Sequence, residues 1–430
     1  MLLLLLLISS GCDVNIPGCG KRSLPFFKKI APPPVPTAVP AAPPAGNTIP
    51  VASPAVSNPA VAVPEKAPAK SVTLETSTEM SISKQKVPPT FTFTPTVTPT
   101  PMEMEKIAYT TLEDSKPSLW TMNNDGTERN RLTSVGSSAW FPLWSPNGKT
   151  LAFLSDMKTD SNPDGKINLF TVKKGTKDFV QITFFPDLTI QYPSALKAPF
   201  TWSPRSDEIV YIYHNQVWKV DLTTLAQLTI STLDALQSVE AVEWAPHRDN
   251  KFIAYLADKG RNFTGLYLIN PRLLDQLKLV EAANNISDMT WTPDARKLAY
   301  ILNKVNIYTA SPETSLPRPV ILGASPELGP LLSYSPVESG APPLLTLAKK
   351  TKADTSFRVA VLDKPSKDDQ DPGTLKYFTE PGVVDAIWSP DGNKIAYVQN
   401  GELWVMDAIS GGNKKRLAAT GIINPNWSKK

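Results

Sequence analysis

From about residue 105 onward, apolar and polar positions alternate in short segments, and four kinds of segment recur in a fixed order. One kind is a short apolar run closing on an aromatic: Ile107-Ala108-Tyr109, Leu151-Ala152-Phe153 and Ile395-Ala396-Tyr397. The next alternates with period two, as in Leu119-Trp120-Thr121-Met122-Asn123, Val217-Trp218-Lys219-Val220-Asp221, Leu266-Tyr267-Leu268-Ile269-Asn270 and Leu403-Trp404-Val405-Met406-Asp407. Period-two segments rich in β-branched and aromatic residues predict half-buried strands. A shorter strand often follows, as in Asn130-Arg131-Leu132-Thr133 and Lys415-Arg416-Leu417.

The remaining kind ends in an aromatic two residues before a proline: Trp144-Ser145-Pro146, Trp202-Ser203-Pro204, Trp244-Ala245-Pro246, Trp291-Thr292-Pro293 and Trp388-Ser389-Pro390, with Tyr334-Ser335-Pro336 as a sixth copy. Copies spaced roughly 40 to 60 residues apart predict a repeat architecture. After each copy the chain turns, most clearly at Pro146-Asn147-Gly148 and Pro390-Asp391-Gly392. Proline presets one corner of such a turn and glycine takes the positive-φ corner, so two strands are joined tightly.

Second strands begin at Ile107, Leu151, Ile209, Ile253, Leu298, Leu344 and Ile395, and the first-strand series becomes equally long once Trp427-Ser428 is included. The two series are offset by one unit. The last strand should therefore complete the sheet that residue 105 opens, and closing the ring removes exposed strand edges. This predicts an all-β fold: a seven-bladed β-propeller of four-stranded blades over residues 105–430. The repeat resembles the TolB-type β-propeller repeat, whose Trp-Ser-Pro-Asp-Gly-x-x-Ile-Ala-Tyr signature is matched best at residues 388–397. Residues 337–340 depart most from it. The periplasmic protein that names the family carries, as the resemblance implies, six blades and an α/β domain; neither is legible here, and its role in envelope constriction is not carried over.

Upstream, Leu2 to Ile8 form an apolar stretch too short to span a bilayer but suited to the core of a secretory signal over residues 1–11. Ser9-Ser10-Gly11 before Cys12 resembles a bacterial lipoprotein processing site, with Cys12 as the lipidated N-terminus. The alternative is an ordinary secretory peptide with Cys12 paired to Cys19. Across residues 12–30, Lys21, Arg22, Lys28 and Lys29 flank Phe26-Phe27, which reads either as a membrane-surface patch or as a solvated basic run. Residues 31–104 are rich in Pro, Ala, Thr and Val, too poor in apolar bulk to offset ordering entropy, and read as a disordered linker. Stretched as polyproline II, such a tether reaches on the order of 200 Å.

A net charge of +4 over 430 residues, with no basic face carrying interleaved aromatics, disfavours nucleic acid as a partner. The two histidines, His214 and His247, both fall in turns, and no nucleophile elbow, phosphate loop or Cys/His metal cluster is present in the sequence. One loop stands out. Asp160, Asn162, Asp164, Lys166 (by its carbonyl) and Asn168 place oxygens at positions 1, 3, 5, 7 and 9 around Gly165, as a calcium loop requires. It resembles the calcium hairpins of integrin-type propellers, with Asn at two acidic positions; the reduced charge implies weak affinity, about 10⁻⁴ to 10⁻³ M. A polar Asp-Gly turn is the alternative.

These features together describe a non-enzymatic protein-binding or scaffold module, exported and membrane-anchored through Cys12, with an envelope or extracellular protein as partner and calcium as the one candidate cofactor. The alternatives are an extracytoplasmic glycan or peptide hydrolase or lyase using carboxylates in the channel, or a sensor of a small ligand or glycan.

Overall fold

The computed structural model describes residues 104–429 except 113–115, 186–196, 232–237, 248–251, 259–263, 283–284, 315–316, 324, 338–341, 363–373 and 419. The stretch read as a secretory signal, Cys12, the basic stretch before residue 30, the stretch read as a linker up to residue 103, and most of the turn at 337–340 lie outside the described residues.

The described residues form seven four-stranded antiparallel sheets and no helix. Blades 1 to 6 begin with the inner strands Ala139–Trp144, Phe200–Trp202, Ser238–Trp244, Ile286–Trp291, Leu328–Tyr334 and Val383–Trp388. Three further strands follow each in chain order. Blade 7 is built from both ends of the propeller: Ile422–Trp427 is its inner strand, followed by Lys106–Thr111, Ser118–Asn123 and Asn130–Arg131. The blade at Tyr334 is complete despite its divergent turn.

The Trp-Ser-Pro-Asp signature follows from hydrogen bonding across the turn. In blade 6 the buried Ser389 hydroxyl donates to Asp391 at 2.5 Å and accepts the Lys394 N–H at 2.9 Å, while Asp391 also accepts the Asn393 N–H. Ser145 with Asn147, Ser203 with Asp207 and Thr292 with Asp294 repeat the arrangement. Gly148 (φ +71°) completes the blade 1 turn where a Cβ would come within 2.5 Å of the Lys429 carbonyl, so backbone conformation and close approach both demand glycine. At the ring seam the same bonds form between the chain's two ends. The Lys106 N–H donates to Ser428 Oγ at 2.8 Å and the Ser428 N–H to the Lys106 carbonyl at 2.8 Å, matching Ser389 and Lys394.

Each blade interface holds its own buried cluster. Between blades 7 and 1, for example, Ala108 and Leu119 pack with Trp144, Leu151, Phe153 and Phe170. The recurring tryptophans tie neighbouring blades together: Nε1 of Trp202, Trp291 and Trp388 donates to the carbonyls of Leu143, Glu243 and Ser333, each the residue just before the aromatic of the preceding blade. The aromatics are thus blade packing, as their periodicity implies.

Candidate functional site

Inner strands surround the axis, so their side chains decide what the channel can do. Most carry a register irregularity shortly before the terminal aromatic, at Val239/Ala241, Ile286/Asp288 and Val383/Asp385 among others. A bulge re-aims the side chain beside it. In blades 4 and 6 the residue three before the tryptophan is Asp288 and Asp385, and both are buried.

Asp288 is the centre of a polar cluster spanning three blades. Its Oδ2 accepts the Leu332 N–H of blade 5 at 2.6 Å, and its Oδ1 lies 3.0 Å from Lys197 Nζ. Lys197 precedes the inner strand of blade 2, yet its ammonium also donates to the carbonyls of Met289 at 2.6 Å and Leu332 at 3.1 Å and pairs with Glu243 of blade 3 at 3.5 Å. One ammonium touching blades 3, 4 and 5 lies on the axis side of the ring. Glu243 is held in turn by the Trp291 N–H at 3.1 Å and the Thr290 hydroxyl at 3.2 Å. Burial works against the Lys197 charge, but the two carboxylates outweigh it and raise the ammonium's pKa. For Asp288 burial is the larger influence, and it lifts the carboxyl to about 6 against the pull of Lys197. Two carboxylates facing one ammonium leave an excess negative charge, which a proton on Asp288 relieves.

Asp385 has the same place in its blade without the same partners. The position corresponding to Leu332 in the next blade is Pro425, which has no N–H to donate. Asp385 accepts the Ala386 N–H at 2.8 Å, and burial pushes its carboxyl up to about 8. From its ordinary value near 4 to about 8, the folded chain then holds one proton more than the unfolded chain. Stability therefore falls as pH rises through that window. Asp385→Asn is expected to leave the melting temperature unchanged near pH 4, to raise it progressively up to about pH 8 and to raise it no further above that; thermal melts across pH check this, and a pH-independent difference would remove the buried-acid account.

The second feature is a cavity of about 300 Å³ at the exit mouth, where the inner strands end. Its walls are the Trp-Ser-Pro segments of blades 1, 5, 6 and 7, including Trp144, Tyr334, Trp388, Trp427, Pro146 and Pro336, with Lys429 at the side. Trp144 breaks the pattern of its siblings: its backbone N–H reaches Asn426 Oδ1 at 2.7 Å, but its buried Nε1 has no acceptor.

The loop patterned for calcium is tied by its own bonds. Asn162 is buried, its Nδ2 donating to the carbonyls of Met157 at 2.9 Å and Lys166 at 2.8 Å and its Oδ1 accepting the Lys166 N–H at 3.0 Å. Asn168 Oδ1 accepts from the Thr183 hydroxyl and the Phe185 N–H, while Asp160 and Asp164 stand exposed. An ion here has to displace the Asn162 bond to the Lys166 carbonyl. His214 and Asn215, at φ +47° and +60°, make a two-residue hairpin turn, with His214 stacked on Tyr213.

Solved propellers share this architecture at low identity. An oligogalacturonate lyase from Vibrio parahaemolyticus is 12% identical over 74% of this chain and 85% of its own, with a TM-score of 0.53. A prolyl endopeptidase matches at 12% identity over 73% of this chain and 49% of its own, with a TM-score of 0.51. TolB from Acinetobacter baumannii is 14% identical over 76% of this chain and 67% of its own, with a TM-score of 0.46. The chain is a seven-bladed β-propeller. No protein-family profile matches it, and a comparison with curated proteins found no match. At these identities the likeness is one of fold, so the function has to be argued from the channel and its mouth.

Proposed function

We propose that this propeller is a non-enzymatic binding module of the cell envelope, exported, anchored through a lipid on Cys12, and holding a protein partner at its exit mouth. The observation that carries the reading is the exit-mouth cavity, walled by aromatic and proline side chains from four blades. Ligands occupy concave sites where apolar walls carry placed polar groups, and here Ser145, Ser333, Ser389, Asn426 and Lys429 stand among the aromatic and proline side chains. Of the channel acids, Glu243 and Asp288 are already engaged by Lys197, and Asp385 is buried against the Ala386 N–H. An acid near 6, as at Asp288, has a pKa suited to proton transfer in a lyase or hydrolase, but there Lys197 would first have to leave. Calcium at the 160–168 loop belongs to this proposal on the charge pattern of the loop.

The test is crosslinking and affinity capture of the full-length protein from its native envelope, with and without calcium, comparing wild type with Lys429→Glu. A stoichiometric partner held by wild type and lost on charge reversal at the mouth is expected. A partner held equally by both moves the interface elsewhere, and turnover of glycan or peptide substrates with a bell-shaped pH profile replaces the reading with an enzyme.

A further inference from the structure

The turn after the inner strand loses its acid in blade 1. Blades 2, 4 and 6 close this turn with Asp207, Asp294 and Asp391, whereas blade 1 uses Asn147. The Asn147 Oδ1 still accepts the Ser145 hydroxyl at 2.7 Å and the Lys149 N–H at 3.0 Å, so the amide does the bonding without the charge. The other exit-side turn of this blade, residues 173–178, carries Lys173, Lys174 and Lys177 against Asp178.

Backbone contacts gather these cations with two more on one side of the mouth. Lys173 pairs with Thr150, next to Lys149, and the Lys174 N–H donates to the Lys149 carbonyl at 2.8 Å. The Lys429 carbonyl lies against Gly148, and the Asn147 N–H reaches Ser206 Oγ, beside Arg205, at 3.2 Å. Lys149, Lys173, Lys177, Arg205 and Lys429 are all exposed, and among the described residues none is paired with a carboxylate. Like charges gathered in this way repel one another and raise the local concentration of anions. Asn147, Gly175, Thr176 and Ser206 stand between them, none of them an apolar side chain that would enter a bilayer. The concave mouth beside the patch instead suits a side chain projecting from a protein segment.

We propose that the exit turns of blade 1, with Arg205 and Lys429, are a docking face for an acidic segment of a protein partner. The inference rests on the exit mouth being the binding face and adds the charge of what binds there. Exposed rim charges of this kind act mainly on encounter rate and on specificity, and their effect fades with salt.

The experiment measures binding of fluorescently labelled poly-L-glutamate to the full-length protein by anisotropy, with vesicles of phosphatidylcholine and phosphatidylglycerol as a second probe. Wild type is expected to bind poly-L-glutamate saturably at low salt and much more weakly at about 0.15 M, where the screening length is about 8 Å. Lys149→Glu/Lys177→Glu, whose lysines do not line the cavity, is expected to weaken binding about tenfold. Lys350→Glu/Lys352→Glu makes the same change in net charge at exposed positions on the opposite face and is expected to weaken it less than about twofold. Equal losses from the two pairs, or no binding by wild type, overturns the proposal. Vesicles bound through Lys149 and Lys177 while poly-L-glutamate stays unbound assign the patch to a membrane surface and overturn it as well. If poly-L-glutamate binding ignores the patch while Lys429→Glu still loses the envelope partner, this inference falls and the binding-module reading stands. If the patch binds poly-L-glutamate while Lys429→Glu holds the envelope partner as wild type does, the acidic ligand stands and the mouth reading falls.

Discussion

Truncation of residues 422–430 is expected to abolish cooperative unfolding of the propeller. The deletion removes the inner strand of blade 7, whose pairing with Lys106–Thr111 joins the two ends of the ring. With it go Ile422, Trp427 and Ser428, all buried. Deleting a large buried side chain costs about 2–5 kcal/mol, and a domain's whole stability is about 5–15 kcal/mol, so losing Ile422 and Trp427 together is comparable to the total. The edge of Lys106–Thr111 would also stand open as a template for aggregation. Ser428→Ala isolates the seam. It leaves the strand in place but removes the acceptor of the Lys106 N–H, a loss of about 1–3 kcal/mol. Differential scanning calorimetry should show a lowered but still cooperative transition for Ser428→Ala and none, or a broad one, for the truncation. A truncated chain that melts like wild type would mean the ring does not depend on this strand.

The blade count and the offset that closes the ring were legible because they depend on local chemistry repeated along the chain. Every Trp-Ser-Pro copy needs its turn, and the strand after it needs period two, wherever tertiary structure places them. Trp427-Ser428 could be recognised as a first strand at the very end because the seam reuses the hydrogen bonds found inside blade 6. The Lys197 cluster was not legible. Its members sit 46 residues apart (Lys197 to Glu243) and 91 apart (Lys197 to Asp288), and only closure of the ring brings them together. A signal did exist in the column three residues before each terminal aromatic, which reads Phe141, Pro199, Ala241, Asp288, Leu331, Asp385 and Asn424. Two acids in a mainly apolar column mark positions where the fold buries charge. The loop at 160–168 shows the opposite limit: composition displays the oxygens, but whether Asn162 gives its oxygen or its amide to the loop is decided by Met157 and Lys166.

Replacing Lys197 by Met should destabilise the propeller strongly at alkaline pH and little at acidic pH. Without the ammonium, the buried Asp288 carboxylate faces Glu243 with no cation between them, and breaking a buried ion pair by removing one partner costs about 3–5 kcal/mol. The pH dependence follows from where the proton goes. Burial already lifts Asp288 to about 6 with Lys197 in place, and removing the opposite charge lifts it further. At pH 5 Asp288 is then largely protonated in the folded variant, and what is lost is the lysine's hydrogen bonds to Met289 and Leu332. At pH 8 the full charge penalty applies. Lys197→Met/Asp288→Asn should recover most of the alkaline loss, since an asparagine oxygen still accepts the Leu332 N–H that Asp288 accepts at 2.6 Å. Urea denaturation of wild type, the single variant and the double variant at both pH values decides it. Equal losses at pH 5 and pH 8, or no rescue by Asp288→Asn, would show that Lys197 stabilises the channel by filling it and not by its charge.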